Sequence, residues 1–135
     1  MIVFTTRYKA IGILGGMGPE ATARFYSEVI RGFQKQYGAK FDSDYPEIII
    51  YNLPLPDIVE KPAKRNSIIA LIKYGLRKLE AAGADFIVAP CNTLNAFYDE
   101  MRKCIGIPVY SIVEETARKV SASGMKRVGI LGTRL

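Results

Sequence analysis

Short apolar segments alternate along the chain with longer segments in which apolar residues recur every three or four positions. The short segments are continuously hydrophobic, which predicts strands buried on both faces of a sheet. They cover residues 10–14, 47–51, 86–89, 109–112 and 128–131. The periodic segments predict amphipathic helices over residues 19–37, 68–82, 94–101 and 114–121. This alternation predicts an α/β fold, a three-layer, flavodoxin-like parallel sheet with helices on both faces, and residues 41–46 form a predicted loop.

The segments 10–16 and 127–133 are similar, since each is an apolar strand that follows a basic residue and runs into a glycine turn. One explanation is that buried strands ending in glycine look alike. The other is an internal duplication whose second copy begins near the end of this sequence. On the second interpretation we divide the chain into an α/β domain over residues 1–108 and the beginning of a truncated second α/β domain over residues 109–135.

Composition narrows the chemistry that such a fold can perform. The 135 residues are 49% hydrophobic and 24% charged, which is typical of one globular domain with a buried core. Histidine is absent, so imidazole catalysis and histidine-ligated metals are excluded within this sequence. The two cysteines cannot build a disulfide framework or a cysteine-rich metal site.

Charge and hydropathy indicate the environment of the protein. The net charge of +6 comes from dispersed basic residues without interleaved aromatic residues, so we expect no nucleic-acid partner. No apolar run approaches the roughly 18 residues of a membrane span, and the first apolar residues are too few for a signal peptide. We therefore expect a cytoplasmic protein that does not bind membranes.

The first candidate site is the glycine-rich turn at residues 15–21, between the first strand and the first helix. Its glycines allow close backbone approach, and the helix that follows offers free N–H groups to an anion. The spacing of Gly16, Gly18 and Ala21 fits a permissive dinucleotide fingerprint, but no carboxylate ends the second strand to hold a ribose. A nucleotide site and a purely structural turn both remain open.

The second candidate site is Cys91, which directly follows the third predicted strand and precedes a helix. Ligands of open α/β sheets bind at the carboxyl ends of strands, and a helix N-terminus stabilises a thiolate. Asn92 and Thr93 can cap that helix or offer an amide and a hydroxyl to a carboxylate. Cys104 lacks this context and is expected to be an inert thiol, while Asn52 follows the second strand and either binds a ligand or completes a turn.

Together these segments resemble the aspartate/glutamate racemase superfamily, in its aspartate racemase-like branch. The matching motifs are Gly15-Gly16-Met17-Gly18-Pro19-Glu20-Ala21-Thr22, Gly83-Ala84-Asp85-Phe86, Pro90-Cys91-Asn92-Thr93, Ile107-Pro108-Val109 and Glu114-Glu115-Thr116-Ala117. The resemblance implies a cofactor-independent amino-acid racemase made of two pseudo-symmetric halves, with no metal. It implies proton transfer at Cα by two cysteines on opposite faces of the substrate.

By this resemblance Cys91 is the first catalytic thiol, and Asn92 and Thr93 bind the substrate carboxylate. We place Gly16, Met17 and Asn52 beside them as further substrate-binding residues. The substrate is expected to be a small, acidic amino acid, and a homodimer is expected to form through the C-terminal segment.

The sequence also departs from the family pattern. It has no Gly-Cys-Thr motif with a second catalytic cysteine, so we expect this chain alone to be inactive or impaired. Leu94-Asn95 replaces the usual Ala-His, and Ile58 stands where an arginine for the substrate side chain is common. Lys61, Lys64 and Arg65 are candidate replacements. The alternatives are a non-catalytic small-ligand or nucleotide-binding module on the same fold, or another member such as a hydantoin racemase or a decarboxylase.

Overall fold

The structure is a computed structural model that describes residues 8–56 and 65–131. In these ranges the chain alternates strands and helices, which confirms the α/β prediction. The strands are β1 (Ile11–Gly15), β2 (Ile48–Asn52), β3 (Phe86–Val88) and β4 (Val109–Tyr110). The α-helices are α1 (Pro19–Tyr37), α2 (Arg65–Ala81), α3 (Tyr98–Arg102) and α4 (Ile112–Ala122), and short 3₁₀ helices cover Asp42–Asp44 and Thr93–Phe97.

The four described strands form one parallel sheet in the order β2-β1-β3-β4. Right-handed crossovers require α1 on one face of this sheet and α2 with α3 on the other. The main core lies on the α2 face, where Leu14 and Ile87 of the sheet are fully buried. The helical side chains that complete this core are Ile68, Ile72, Leu76, Leu79, Leu94, Phe97 and Met101.

Local sequence explains where the first helix begins and ends. Pro19 occupies the first turn of α1, where its missing N–H costs no hydrogen bond. Gly38 ends the helix in the left-handed conformation at φ 69°, and its N–H donates to the carbonyl of Phe33. The predicted bounds of this helix are therefore close to the observed ones.

Three sequence predictions about the second half of the chain need correction. The predicted third helix is two short pieces, a 3₁₀ helix and α3, since Phe97 leaves the helical conformation between them (φ −110°, ψ 16°). The fourth helix starts at Ile112 rather than residue 114, because Ser111 caps it and shortens the preceding strand. Residues 128–131 form no strand, since no described strand lies beside them to complete their backbone hydrogen bonds.

The predicted division after residue 108 stays a prediction. β4 pairs with β3, so the sheet of the first predicted domain continues as far as Tyr110. Of the repeated segment 127–133, residues 132 and 133 lie outside the described ranges. In the ranges that are described, no helix has both the length and the apolarity to cross a membrane.

Candidate active site

The carboxyl edge of the sheet brings the three candidate segments together. β1 lies between β2 and β3, so the glycine turn after β1 has the Asn52 segment on one side and the Cys91 segment on the other. The helices that follow β1 and β3 leave toward opposite faces, which makes the ends of these two strands a topological switch point. Ligands of open α/β sheets bind in the crevice at such a point.

The glycine turn is stabilised by Thr22 in the first turns of α1. The Gly16 N–H donates to Thr22 Oγ1 at 3.0 Å, and the Thr22 hydroxyl donates to the Gly18 carbonyl at 3.2 Å. The Gly16 N–H is therefore already paired and does not face an anion site. Glu20 adds a carboxylate in the first helical turn, where it interacts with the same positive end of the helix that an anion would use.

Gly16 and Asn52 are direct neighbours. Gly16 has φ +95°, and a Cβ added there would lie 2.9 Å from Asn52 Oδ1 and 2.7 Å from the Leu53 carbonyl oxygen. The Leu53 N–H donates to the Gly15 carbonyl at 2.9 Å and extends the β1–β2 pairing by one bond. Met17, the next residue of the turn, is half-buried against the main core.

Cys91 lies in a short loop between β3 and the 3₁₀ helix, and its half-buried side chain packs against the main core. Its N–H donates to the Ala89 carbonyl at 2.8 Å. The following helical segment, Thr93–Phe97, is a five-residue 3₁₀ helix without a side-chain cap. Cys91 therefore precedes a short 3₁₀ helix, and not the longer α-helix on which the dipole argument was based. Asn92 is the N-cap residue of this helix but makes no side-chain cap bond; its side chain is exposed, and Thr93 is half-buried.

Cys104 lies at the opposite end of the sheet. It precedes β4, near the C-terminal half of α2, and its Sγ donates to the Met101 carbonyl at 3.1 Å. Burial is the main cause that raises the pKa of the Cys104 thiol, partly opposed by the positive charges of Lys73 and Arg77. The two thiols of this chain therefore do not share a site.

Sequence reasoning assigned no role to two polar residues beside the Cys91 loop, Asn95 and Ser111. Asn95 Nδ2 donates to the Cys91 carbonyl at 2.9 Å, and Asn95 Oδ1 accepts from the Ser111 hydroxyl at 2.9 Å. Ser111 also accepts the Glu114 N–H at 3.3 Å as the cap of α4. The pattern Ser-x-x-Glu at residues 111–114 was a visible capping signal, but it gives no information about Asn95.

Of the three candidate replacements for the arginine that the family commonly has at position 58, the structure describes only Arg65. Arg65 pairs with Glu100 at 2.8 Å and stacks over the ring of Phe97, 4.5 Å from its centroid. Its guanidinium is therefore directed to the helices that follow β3. Lys61 and Lys64, together with Ile58, lie outside the described residues.

Arg65 and Asn95 also border a polar surface cavity of about 650 Å³. The charged groups that face it are Arg65, Asp99, Glu100, Lys103 and Glu114. A separate groove of about 790 Å³ lies between α1 and the start of β2, at the amino end of the sheet and away from Cys91. Among the described residues, no three Cys, Asp or Glu side chains form a cluster suited to a metal ion.

Comparison with known proteins agrees with this fold and identifies its family. The chain matches the sequence profile of the Asp/Glu/hydantoin racemase family over residues 14–135. The chain therefore belongs to this family, which confirms the resemblance seen in the motifs.

Individual relatives extend the comparison. The chain is 42% identical over 123 residues to the broad specificity amino-acid racemase RacX of Bacillus subtilis (strain 168), covering 91% of this chain and 54% of that protein. It is 31% identical over 84 residues to glutamate racemase of Aquifex pyrophilus, covering 58% of this chain and 33% of that protein.

Solved structures of similar fold are likewise matched over about half of their length. An aspartate racemase homologue from Pyrococcus horikoshii OT3 has a TM-score of 0.77 at 28% identity, covering 87% of this chain and 50% of the other. The aspartate racemase of Picrophilus torridus has a TM-score of 0.73 at 31% identity, covering 87% and 49%. The chain thus spans about half the length of the relatives that it matches.

Proposed function

We propose that this chain carries one side of the active site of a cofactor-independent amino-acid racemase, with Cys91 as the thiol that exchanges a proton with Cα. The observation that carries the proposal is the position of Cys91 beside the glycine turn, at the switch point of the sheet. Family membership adds the reaction class. The broad specificity named for RacX favours a range of amino acids over aspartate alone.

In this proposal the Cys91 thiolate removes the proton from Cα, and the electron pair delocalises into the substrate carboxylate. The Thr93 hydroxyl and the Asn92 amide donate hydrogen bonds to that carboxylate, where negative charge grows in the transition state. The absence of a cap bond from the Asn92 side chain supports this role. Gly16, Met17 and Asn52 border the other side of the substrate. The net charge of +6 favours encounter with an anionic substrate.

Inversion needs a second acid on the opposite face of Cα. Cys104 cannot supply it, because it precedes β4 at the far end of the sheet and its thiol donates to the Met101 carbonyl. The second thiol must come from outside the residues described here. We therefore expect this chain alone to exchange the Cα proton with retention and to racemise far more slowly than a complete racemase.

The experiment incubates the full chain with L-aspartate, L-glutamate and a panel of neutral L-amino acids in D₂O. Proton NMR follows deuterium at Cα, and chiral chromatography follows the D-enantiomer. We expect slow exchange without comparable inversion, lost in Cys91→Ser and kept in Cys104→Ser. Equal exchange in the wild type and Cys91→Ser contradicts the role of Cys91, while rapid inversion in Cys104→Ser contradicts the need for an outside thiol.

We also propose that a second copy of this chain covers the exposed apolar side chains that follow β4. Val113, Val128, Ile130 and Leu131 are exposed, and α4 has no fully buried residue. The chain spans about half the length of the relatives that it matches. Symmetric pairing is the commonest way for a protein to cover such a surface.

A further inference from the structure

The loop that carries Cys91 is held by hydrogen bonds on both of its backbone polar groups. The Cys91 N–H donates to the carbonyl of Ala89, a buried residue directly after β3. The Cys91 carbonyl accepts from the side chain of Asn95. The first bond holds the loop to the end of β3. The second holds it to Asn95, whose side chain makes another hydrogen bond outside the loop.

That other contact is the first turn of α4. Asn95 Oδ1 accepts from the hydroxyl of Ser111, which is only 4% exposed. The same Ser111 oxygen accepts the Glu114 N–H and caps α4. Three consecutive hydrogen bonds therefore connect the N-terminus of α4 to the backbone of Cys91.

The chemistry of these bonds specifies an amide at position 95. The Ser111 hydroxyl needs an acceptor and the Cys91 carbonyl needs a donor, and a side-chain amide offers one of each. A carboxylate of the same shape would place an oxygen against the Cys91 carbonyl and add a negative charge beside the loop. An alanine would leave both partners without their bond.

We propose that Asn95 is a positioning residue that couples the first turn of α4 to the loop holding the Cys91 thiol. The relevance to catalysis rests on the proposed function, in which Cys91 exchanges the Cα proton. No residue of α4 is fully buried, and beside the Ser111 cap its first turn is contacted by the Tyr98 hydroxyl, which donates to Glu114 Oε2 at 3.5 Å. Movement of the first turn of α4 is therefore transmitted to the reacting loop through Ser111 and Asn95.

The first test measures coupling by amide hydrogen exchange in the full chain. In Asn95→Ala we expect the Glu114 amide to exchange about fivefold faster, the ratio supplied by the net free energy of one hydrogen bond. In Ser111→Ala we expect a similar increase at the Cys91 amide, and Ser111→Thr restores wild-type exchange. The matched control Asn66→Ala, at an exposed position of α2, leaves both amides unchanged.

The second test measures the Cys91 thiol directly, by iodoacetamide alkylation over a pH series with peptide mass mapping. Asn95→Asp adds one negative charge beside the loop, and because a nearby like charge disfavours a thiolate, we expect alkylation of Cys91 near neutral pH to slow by about tenfold. Asn66→Asp adds the same charge on α2 and serves as the control. Cys104 in the same sample is the internal reference.

Two results together overturn the proposal. They are a wild-type exchange rate of the Glu114 amide in Asn95→Ala and a wild-type alkylation profile of Cys91 in Asn95→Asp. If either Asn95 variant loses its cooperative thermal transition, the Ser111→Ala variant is used instead. An unchanged exchange rate of the Cys91 amide in Ser111→Ala also overturns the proposal. Neither readout requires turnover. Absence of Cα exchange in the wild type therefore contradicts the proposed function without touching this coupling.

Discussion

Gly16 shows how one residue without a side chain determines the shape of the candidate site. Its φ of +95° is a conformation that L-residues with side chains rarely adopt, and the backbone of Leu53 occupies the space of a Cβ. The close approach brings the turn after β1 against Asn52. Because backbone atoms form the obstacle, a side-chain rotation cannot relieve it.

We predict that Gly16→Ala destabilises the protein by about 1–3 kcal/mol, because it combines backbone strain with a steric clash. Gly32→Ala is the matched control, since Gly32 lies within α1 and a Cβ there meets nothing within 4 Å. At that position alanine is expected to stabilise by about 0.5–1 kcal/mol through helix propensity. Urea unfolding measures both, and equal midpoints for the two variants would contradict the role of Gly16.

The two cysteines provide a prediction about pH. Burial raises the pKa of the Cys104 thiol, so its thiolate fraction near neutral pH is smaller than that of an ordinary cysteine. Cys91 is half-buried in a loop at the site, and we expect iodoacetamide to modify it first and at lower pH. Peptide mass mapping across a pH series separates the two rates. Faster modification of Cys104 at neutral pH would disprove this order.

The sequence could name candidate polar residues for the site, but not the contacts that they make. Cys91, Asn92 and Thr93 are adjacent, and the strand before them was visible in its hydrophobicity. The bond between Asn95 and Ser111 joins residues 16 positions apart, and side-chain pairing at that distance depends on how α3 and β4 pack. Single-sequence patterns carry periodicity and local capping, but not such packing.

Among the helices, α2 has the strongest connection to the sheet. Leu76 and Leu79 are fully buried against the core, and Gly75 allows close approach, since a Cβ there would lie 2.7 Å from Leu14 Cδ1. The same helix presents Leu71 at its more exposed side. Its sequence periodicity predicted this buried face, because the apolar residues recur at helical spacing.

We predict that Leu76→Ala costs about 2–5 kcal/mol of unfolding free energy, since the residues around the cavity cannot fully collapse into it. Leu71→Ala on the same helix removes the same atoms from a partly exposed position and is expected to cost less than about 1 kcal/mol. Denaturant unfolding of both variants gives the comparison. Equal losses would mean that α2 does not pack on the sheet as described.

The shorter elements show where hydrophobic pattern loses its predictive power. Residues 94–101 carry the periodicity of one helix, yet the chain forms a 3₁₀ helix followed by α3. The propensity differences between helix types are small, so tertiary contacts determine which helix forms. At one end Asn95 contacts the Cys91 loop, and at the other end the chain returns to β4. Residues 128–131 have the composition of a strand, but a strand also requires a neighbour.

At the scale of the whole molecule, the described chain has two different surfaces. The α2 face of the sheet is covered by a continuous core. The other face carries α1 and α4, with an apolar groove between them that includes Phe25, Val88 and Tyr110. After α4 the chain continues with exposed apolar side chains and no further described strand. The chain with these two surfaces matches about half the length of its relatives.

The final prediction concerns assembly. Ile130 is 88% exposed and Leu131 fully so, and burying one such side chain is worth about 1.5–3 kcal/mol. We expect a homodimer or larger oligomer at micromolar concentration, measured by size-exclusion chromatography with light scattering. Ile130→Lys should shift it toward monomer, because a buried unpaired charge is costly at an interface. Leu71→Lys, on α2, should leave the mass unchanged. A stable wild-type monomer, with residues 113–131 protected from hydrogen exchange in that monomer, would show that these side chains pack on their own chain.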